Sequence, residues 1–282
     1  MKYFISFLLV FSLKAAAFIP PISAVLKEIF DGRKFSEGTE LTLNHRVLTN
    51  NGEWSEVEEK ILLENRGMKF IWKTIAPEAF FSGQLEKRTY SLGGDKKIPS
   101  RSLLFLKNYS AGSAMEFRDA LVGEKFLRWD QMKQFKEGFE PQGDPQTWNV
   151  KSQYLEQEAI SLALLPTGPS IAVVGFQDGN SRKTVYFDKG LLGIKKFDWL
   201  EGKESISWNF DQFSVAVNES LFPKKANFTK DGRDIIQSEL MGIRQLSKRQ
   251  SVEWMKIWQK ANKTINNSPV SEDTLRTLLS FR

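Results

Sequence analysis

The feature that most constrains this chain is a long succession of two-residue alternations cut by turn signals and interrupted by a helical period at only one internal place. In TELTLNHRVL the residues Leu41, Leu43, His45 and Val47 share one face, while Glu40, Thr42, Asn44 and Arg46 share the other, as in a half-buried strand. Asn50-Asn51-Gly52 turns this run into WSEVEEKILLEN, and Asn65-Arg66-Gly67 turns that one into MKFIWKT, where Met68, Phe70 and Trp72 alternate with lysines. Gln84 to Leu92 and Ser102 to Asn108 read as two more strands. The pattern resumes in KTVYFD, GIKKFDW, ESISWNFDQFSVAV, ANFTKD and IIQSELMGIRQL, with turn signals at Phe187-Asp188-Lys189-Gly190 and Lys230-Asp231-Gly232-Arg233. Parallel strands need crossovers of helical length between them, and only Gly112 to Gly138 offers one. The sheet is therefore expected to be mainly antiparallel. The expected class is α+β: a large sheet covered by a few helices.

The longest apolar stretch outside the N-terminus, ISLALLPTGPSIAVVGF (160–176), is nearly long enough to cross a bilayer. Pro166-Thr167-Gly168-Pro169 breaks it in the middle and leaves each half too short to span as a helix, so it reads as a β-hairpin. Along its first strand Ile160, Leu162 and Leu164 project one way, and Ala159, Ser161 and Ala163 the other. Such a small-residue face admits either a packed helix or an apolar ligand.

The N-terminus carries Lys2, an apolar core from Tyr3 to Leu13, and Ala15-Ala16-Ala17 before Phe18, the pattern of a secretory signal peptide cleaved after Ala17. The expected organisation is a signal peptide at 1–17 and a single domain at 18–282, exported and periplasmic. The chain has no cysteine, which excludes both a lipobox anchor and a disulfide framework. Its formal charge of +6 includes Lys2 and Lys14 and is spread over scattered pairs such as Lys96-Lys97 and Lys195-Lys196. A nucleic-acid protein concentrates its basic residues on one stripe, so no nucleic-acid partner is expected; a weak contact with an anionic membrane surface is compatible with the charge.

Few residue types for catalysis are present. His45 is the only histidine, and it lies on the apolar side of its strand. The segment Asn108-Tyr109-Ser110-Ala111-Gly112 lacks the first glycine of a nucleophile elbow and follows a strand of antiparallel type. Zinc or iron sites need several His or Cys ligands. Acids such as Glu56, Glu58, Glu64, Asp198 and Asp211 sit on strands, but nothing in the sequence singles out a pair for glycoside hydrolysis. No catalytic residue, metal ligand or cofactor is assigned.

Helices complete the reading. SAVLKEIF (23–30) follows Pro20-Pro21 as a short helix capped by Ser23. The insertion at 112–138 carries Met115, Val122, Phe126, Trp129, Met132 and Phe135 near helical spacing, with a break at Gly123 as one option. A C-terminal helix from about 249 to 265 lines up Trp254, Ile257, Trp258, Ala261 and Ile265, with a shorter helix capped by Ser271 within the C-terminal part to 282.

This order of elements resembles the LolA/LolB-like family of periplasmic lipoprotein carriers and lipid-binding half-barrels. The segments that carry the resemblance are SAVLKEIFDGRKFSEGTELTLNHRVL, GEWSEVEEKILLENRGMKFIWKT and FPKKANFTKDGRDIIQSELMGIRQL. The resemblance implies an incomplete barrel curved around helices, with an apolar cavity holding lipid or the acyl chains of a protein partner. Leu41, Leu43, Phe70, Trp72, Leu162, Ala163, Leu164 and Val173 are the candidates to wall it. The alternative is a non-catalytic envelope module with a filled core, binding a protein or polysaccharide.

Overall fold

The structure, a computed structural model, describes residues 22–33, 35–49, 51–64, 67–74, 79–86, 89–92, 97–99, 114–128, 135–136, 140–141, 160–190, 193–215 and 221–261. The chain begins with helix α1 (Ile22–Arg33), then meanders through β1 (Thr39–Leu48), β2 (Trp54–Glu64), β3 (Gly67–Thr74), β4 (Ala79–Glu86), β5 (Thr89–Leu92) and β6 (Lys97–Pro99). Helix α2 (Ala114–Gly123) and a small ribbon, β7 (Phe135–Lys136) with β8 (Glu140–Pro141), separate these from a second meander: β9 (Ile160–Leu165), β10 (Gly168–Asp178), β11 (Ser181–Asp188), β12 (Ile194–Glu201), β13 (Glu204–Val215), β14 (Leu221–Lys230) and β15 (Arg233–Gln245). Helix α3 (Lys248–Ala261) follows.

Among the described residues, all the strands except the ribbon join one sheet of 13, in the order β6-β5-β4-β3-β2-β1-β15-β14-β13-β12-β11-β10-β9. Every pairing is antiparallel, and the two meanders are joined where β1 meets β15. Among the described strands the sheet does not close, and β6 and β9 are its two ends. It is an incomplete barrel with few helices, as expected.

The turns follow from local chemistry. Between β14 and β15 both central residues, Asp231 and Gly232, have positive φ (50° and 74°), as a two-residue type I′ hairpin requires.

The helices divide between the two faces. On the inner face, α1 buries Ile22, Val25, Leu26, Ile29 and Phe30, and α2 buries Phe117 and Leu121. They pack in the main core with Leu41, Val57, Ile61, Phe70, Val173, Phe197 and Phe228 from the strands. On the outer face, α3 sets Trp254 and Ala261 against Leu62, Ile71 and Leu246. Helix α3 starts in a capping box: Ser247 Oγ accepts from the Gln250 N–H, and Gln250 Oε1 accepts from the Ser247 N–H at 2.9 Å. Among the described residues no helix is long and apolar enough to cross a membrane.

Several expectations are corrected. The run Gln84–Leu92 is not one strand: β4 ends at Glu86 and β5 begins at Thr89, the two pairing as a hairpin. The helical insertion takes the option of a break at Gly123. It stops at Gly123 in a Schellman motif, where the Phe126 N–H donates to the Leu121 carbonyl at 2.9 Å and the Lys125 N–H to the Val122 carbonyl at 3.0 Å. Lys125 takes the left-handed position with φ 63°, and Phe135–Lys136 lies in the ribbon. The strand expected at Ser102–Asn108, the segment at Ser110, the signal peptide and the helix capped by Ser271 lie outside the described residues.

Candidate functional site: the inner face of the open sheet

Strand alternation places the candidate site. Leu41, Phe70, Trp72 and Val173 point inward and are fully buried in the main core, with Leu43 partly buried against it. From β12 to β14 the lining is aromatic. Phe197, Trp199, Trp208, Phe210 and Phe228 stand within 5.8 to 6.4 Å of one another in successive pairs. Phe126, just past α2, closes on Phe197 at 5.0 Å and on Trp199 at 5.9 Å.

The position of Phe126 depends on a β-bulge. The register between β10 and β11 shifts between Val174 and Phe176, and the extra residue is Gly175. The chain at Phe126 and Leu127 passes directly over it, so that a Cβ on Gly175 would lie 2.1 Å from the Phe126 carbonyl carbon. Lys183 secures the same end of α2 by donating to the Glu124 carbonyl at 3.1 Å, with its ammonium over the Phe126 ring.

One polar feature crosses this apolar surface. Ser238 on β15, His45 on β1, Glu59 on β2 and Trp72 on β3 form a hydrogen-bonded row over four neighbouring strands. His45 Nδ1 lies 2.7 Å from Ser238 Oγ and Nε2 lies 2.9 Å from Glu59 Oε2, while Trp72 Nε1 donates to Glu59 Oε1 at 2.7 Å. Ser238 and His45 face each other in register; Glu59 sits opposite Leu43 and reaches His45 on the diagonal. With Glu59 ionised, His45 donates from Nε2 and its Nδ1 accepts the Ser238 hydroxyl proton, so the row is satisfied in one direction. Glu59 is fully buried and His45 nearly so. A carboxylate at such depth needs these donors, because burying a charge is costly unless it is paired and hydrogen-bonded.

Serine, imidazole and carboxylate in this order are the components of a nucleophile–base–acid relay. The surroundings do not complete one. At Ser238 strand β15 pairs with β1 on one side and β14 on the other, so its N–H groups are engaged in ladders rather than aimed at a developing oxyanion. What the row does is hold a carboxylate inside an otherwise apolar wall, with the acceptor capacity of Ser238 Oγ left at one end.

The remaining candidates are not brought together. Leu162 and Leu164 pair with Ile171 and Pro169 on the edge strand β9, where they are 44% and 84% exposed. Ala163 pairs with Ser170 and so lies on the opposite face from Ile171 and Val173. Leu162 and Leu164 thus share the face of Ile171 and Val173 but stand exposed at the end of the sheet, while Ala163 points to the other face. The hairpin is held instead by Lys195, the extra residue of a bulge in β12. Its ammonium pairs with Asp188 at 2.6 Å and donates to the Thr167 carbonyl at 2.7 Å.

Glu59 and Ser238 were missed in the sequence, though a signal existed for Glu59. It shares its strand parity with Val57, Ile61 and Leu63, a lone acid in an inward series. Nothing local marked Ser238, which is 193 positions from His45.

No family model matches the chain, and no curated protein matches it. The fold is similar to that of several solved structures. One is a domain from Vibrio parahaemolyticus assigned to outer membrane lipoprotein sorting (11% identity, TM-score 0.47, covering 86% of this chain and 97% of that one). Another is a LolA superfamily protein from Nitrosomonas europaea (8% identity, TM-score 0.45, 82% and 97%). A third is a DUF1329 family protein from Desulfovibrio piger (7% identity, TM-score 0.43, 81% and 96%). The open antiparallel sheet with helices against its inner face is the architecture that the resemblance implies.

Proposed function

We propose that this chain is an exported, periplasmic carrier or binder of acyl chains, holding lipid or an acylated protein between the inner face of the sheet and helices α1 and α2. The observation that carries the reading is the inner face itself, an apolar and largely aromatic lining covered by two helices of 12 and 10 residues. An acyl chain gains free energy in proportion to the apolar area it removes from water, and an aromatic lining exchanges contact with helix side chains for contact with methylenes. Because β6 and β9 are not paired with each other among the described residues, the sheet can widen without breaking a described ladder, which a closed barrel cannot do. Leu41, Leu43, Phe70, Trp72 and Val173 wall the space, and Ser238 Oγ, whose proton goes to His45, keeps acceptor capacity for an amide N–H of the cargo. The reading gives the chain no catalytic role.

A second reading has its own support. Leu162 and Leu164 stand exposed on an edge strand, where a protein partner can add a strand or cover the leucines. Native mass spectrometry of the purified protein, followed by organic extraction, separates the two. Bound lipid at near-stoichiometric level supports the carrier; lipid-free protein that captures a partner through β9 supports the module.

A further inference from the structure

A cleft of about 470 Å³ opens beside the C-terminal end of α2, against the ends of β10, β11 and β12. Two of the residues lining it are cationic, Lys125 and Lys183. Lys183 belongs to the inner series: it pairs in register with Phe176 on β10 and with Trp199 on β12, so the cleft adjoins the aromatic lining at this end. Its ammonium lies 5.5 Å from the centre of the Phe126 ring and donates one of its three N–H groups to the Glu124 carbonyl. Lys125 reaches the cleft from the left-handed position of the α2 cap, with its ammonium 4.8 Å from the centre of the Phe176 ring. Among the described residues its ammonium has no hydrogen bond or ion pair. The acid among the described lining residues is Glu124, so two ammonium groups stand against one carboxylate.

We infer that this cleft receives the anionic headgroup, a carboxylate or a phosphate, of the acyl ligand held on the inner face; the inference rests on the acyl-carrier reading and names the class of lipid. Capping of α2 accounts for one contact of Lys183 and for none of the Lys125 ammonium. The carbonyls at the end of α2 are already engaged, Leu121 and Val122 with the N–H groups of Phe126 and Lys125 and Glu124 with Lys183, so an anion in the cleft does not meet bare helix acceptors. An ammonium donating to a carboxylate or phosphate oxygen makes a charge-assisted hydrogen bond, stronger than one between neutral groups. The ring faces of Phe126 and Phe176 attract the two cations without neutralising them. Phe176 and Leu200 supply the apolar part of the wall, and Phe126 leads on to Phe197 and Trp199, where the tail of the ligand lies. A neutral head forgoes the charge interaction, and a cationic head is repelled.

The test titrates the full chain, stripped of lipid, with decanoate, decyl phosphate and 1-decanol below their micelle-forming concentrations, following tryptophan fluorescence. The tail is the same in all three, so the ratio of anion to alcohol affinity reports the headgroup alone. At least one anion is expected to bind about tenfold more tightly than the alcohol, the equivalent of one charge-assisted hydrogen bond, and the tighter of the two identifies carboxylate or phosphate as the head. Lys125→Gln and Lys183→Met should each lower that ratio severalfold, whereas Lys256→Gln, which removes the same charge from the exposed side of α3, should not. Lys125 is exposed, so Lys125→Gln decides alone if Lys183→Met does not fold. Equal affinity for the alcohol and both anions, or a ratio that falls as far in Lys256→Gln, overturns the inference and leaves the acyl-carrier reading standing. If none of the three ligands binds, the acyl-carrier reading fails and the inference falls with it.

Discussion

Replacing Gly175 by alanine tests how α2 is held in the half-barrel. The new methyl carbon would lie 2.1 Å from the Phe126 carbonyl carbon, 2.3 Å from its oxygen and 2.5 Å from the Leu127 nitrogen. These are backbone atoms, so no side-chain rotation relieves the clash. Overpacking typically costs about 1 to 3 kcal/mol, and a main-chain clash belongs at the upper end. The other route to relief is for the 126–127 segment to lift off the sheet. That forfeits the contacts of Phe126 with Phe197 and Trp199, at about 0.5 to 1.5 kcal/mol per aromatic pair, together with burial of Leu127. Both routes arrive near ~3 kcal/mol. For a domain of this size each kcal/mol moves the melting temperature by about 2 to 4 °C, so a fall of roughly 6 to 12 °C is expected in thermal unfolding followed by circular dichroism. Gly242→Ala is the control, since a Cβ there meets nothing within 4 Å. If the two variants melt together, the chain does not cross β10 at Gly175 and the placement of α2 is wrong.

Two further outcomes follow from the buried polar groups. His45→Phe and Glu59→Leu should each destabilise the chain, by up to about 3 to 5 kcal/mol where a buried charge loses a partner; the double variant should cost clearly less than the sum, with a coupling of about 0.5 to 3 kcal/mol in a denaturation cycle. Additive losses would mean that the row is not a unit. Burial raises the pKa of Tyr186 above the ordinary tyrosine value, with the Asp198 charge adding to this and Arg182 opposing it. The neutral phenol is thus favoured in the fold. Its contribution to stability is complete below the ordinary tyrosine value and is lost as pH rises through the raised one, so Tyr186→Phe should flatten the alkaline fall in stability; an unchanged slope would contradict the shift.

Much of the fold was legible because strand alternation and turn chemistry are local. The Asp231-Gly232 hairpin, the inward set Leu41, His45 and Val47, and the break at Pro166 to Gly168 all follow from neighbouring residues. Bulges were not legible. Gly175 and Lys195 each add one residue to a strand, shifting the side-chain parity beyond them, and no pattern of period two announces that. Periodicity also says which residues share a face, not whether the strand lies at an edge. Leu162 and Leu164 look like core in the sequence and stand exposed because β9 ends the sheet. The helical insertion ended early because the left-handed residue of its cap is Lys125, where glycine is the usual signal. The polar row depends on β1 pairing with β15, a contact between chain segments about 200 positions apart that no local window contains.

The most direct test of the acyl-carrier account compares extractable lipid in the wild type and in Ala226→Trp. Ala226 is a small, partly buried residue packed against the inner core, opposite Ser238 on the neighbouring strand. An indole there occupies the volume proposed for an acyl chain. The account predicts lipid close to one molecule per chain in the wild type and a severalfold loss in Ala226→Trp, with little change in melting temperature. Lipid-free wild type, together with a variant that melts several degrees lower as a filled core would, contradicts it.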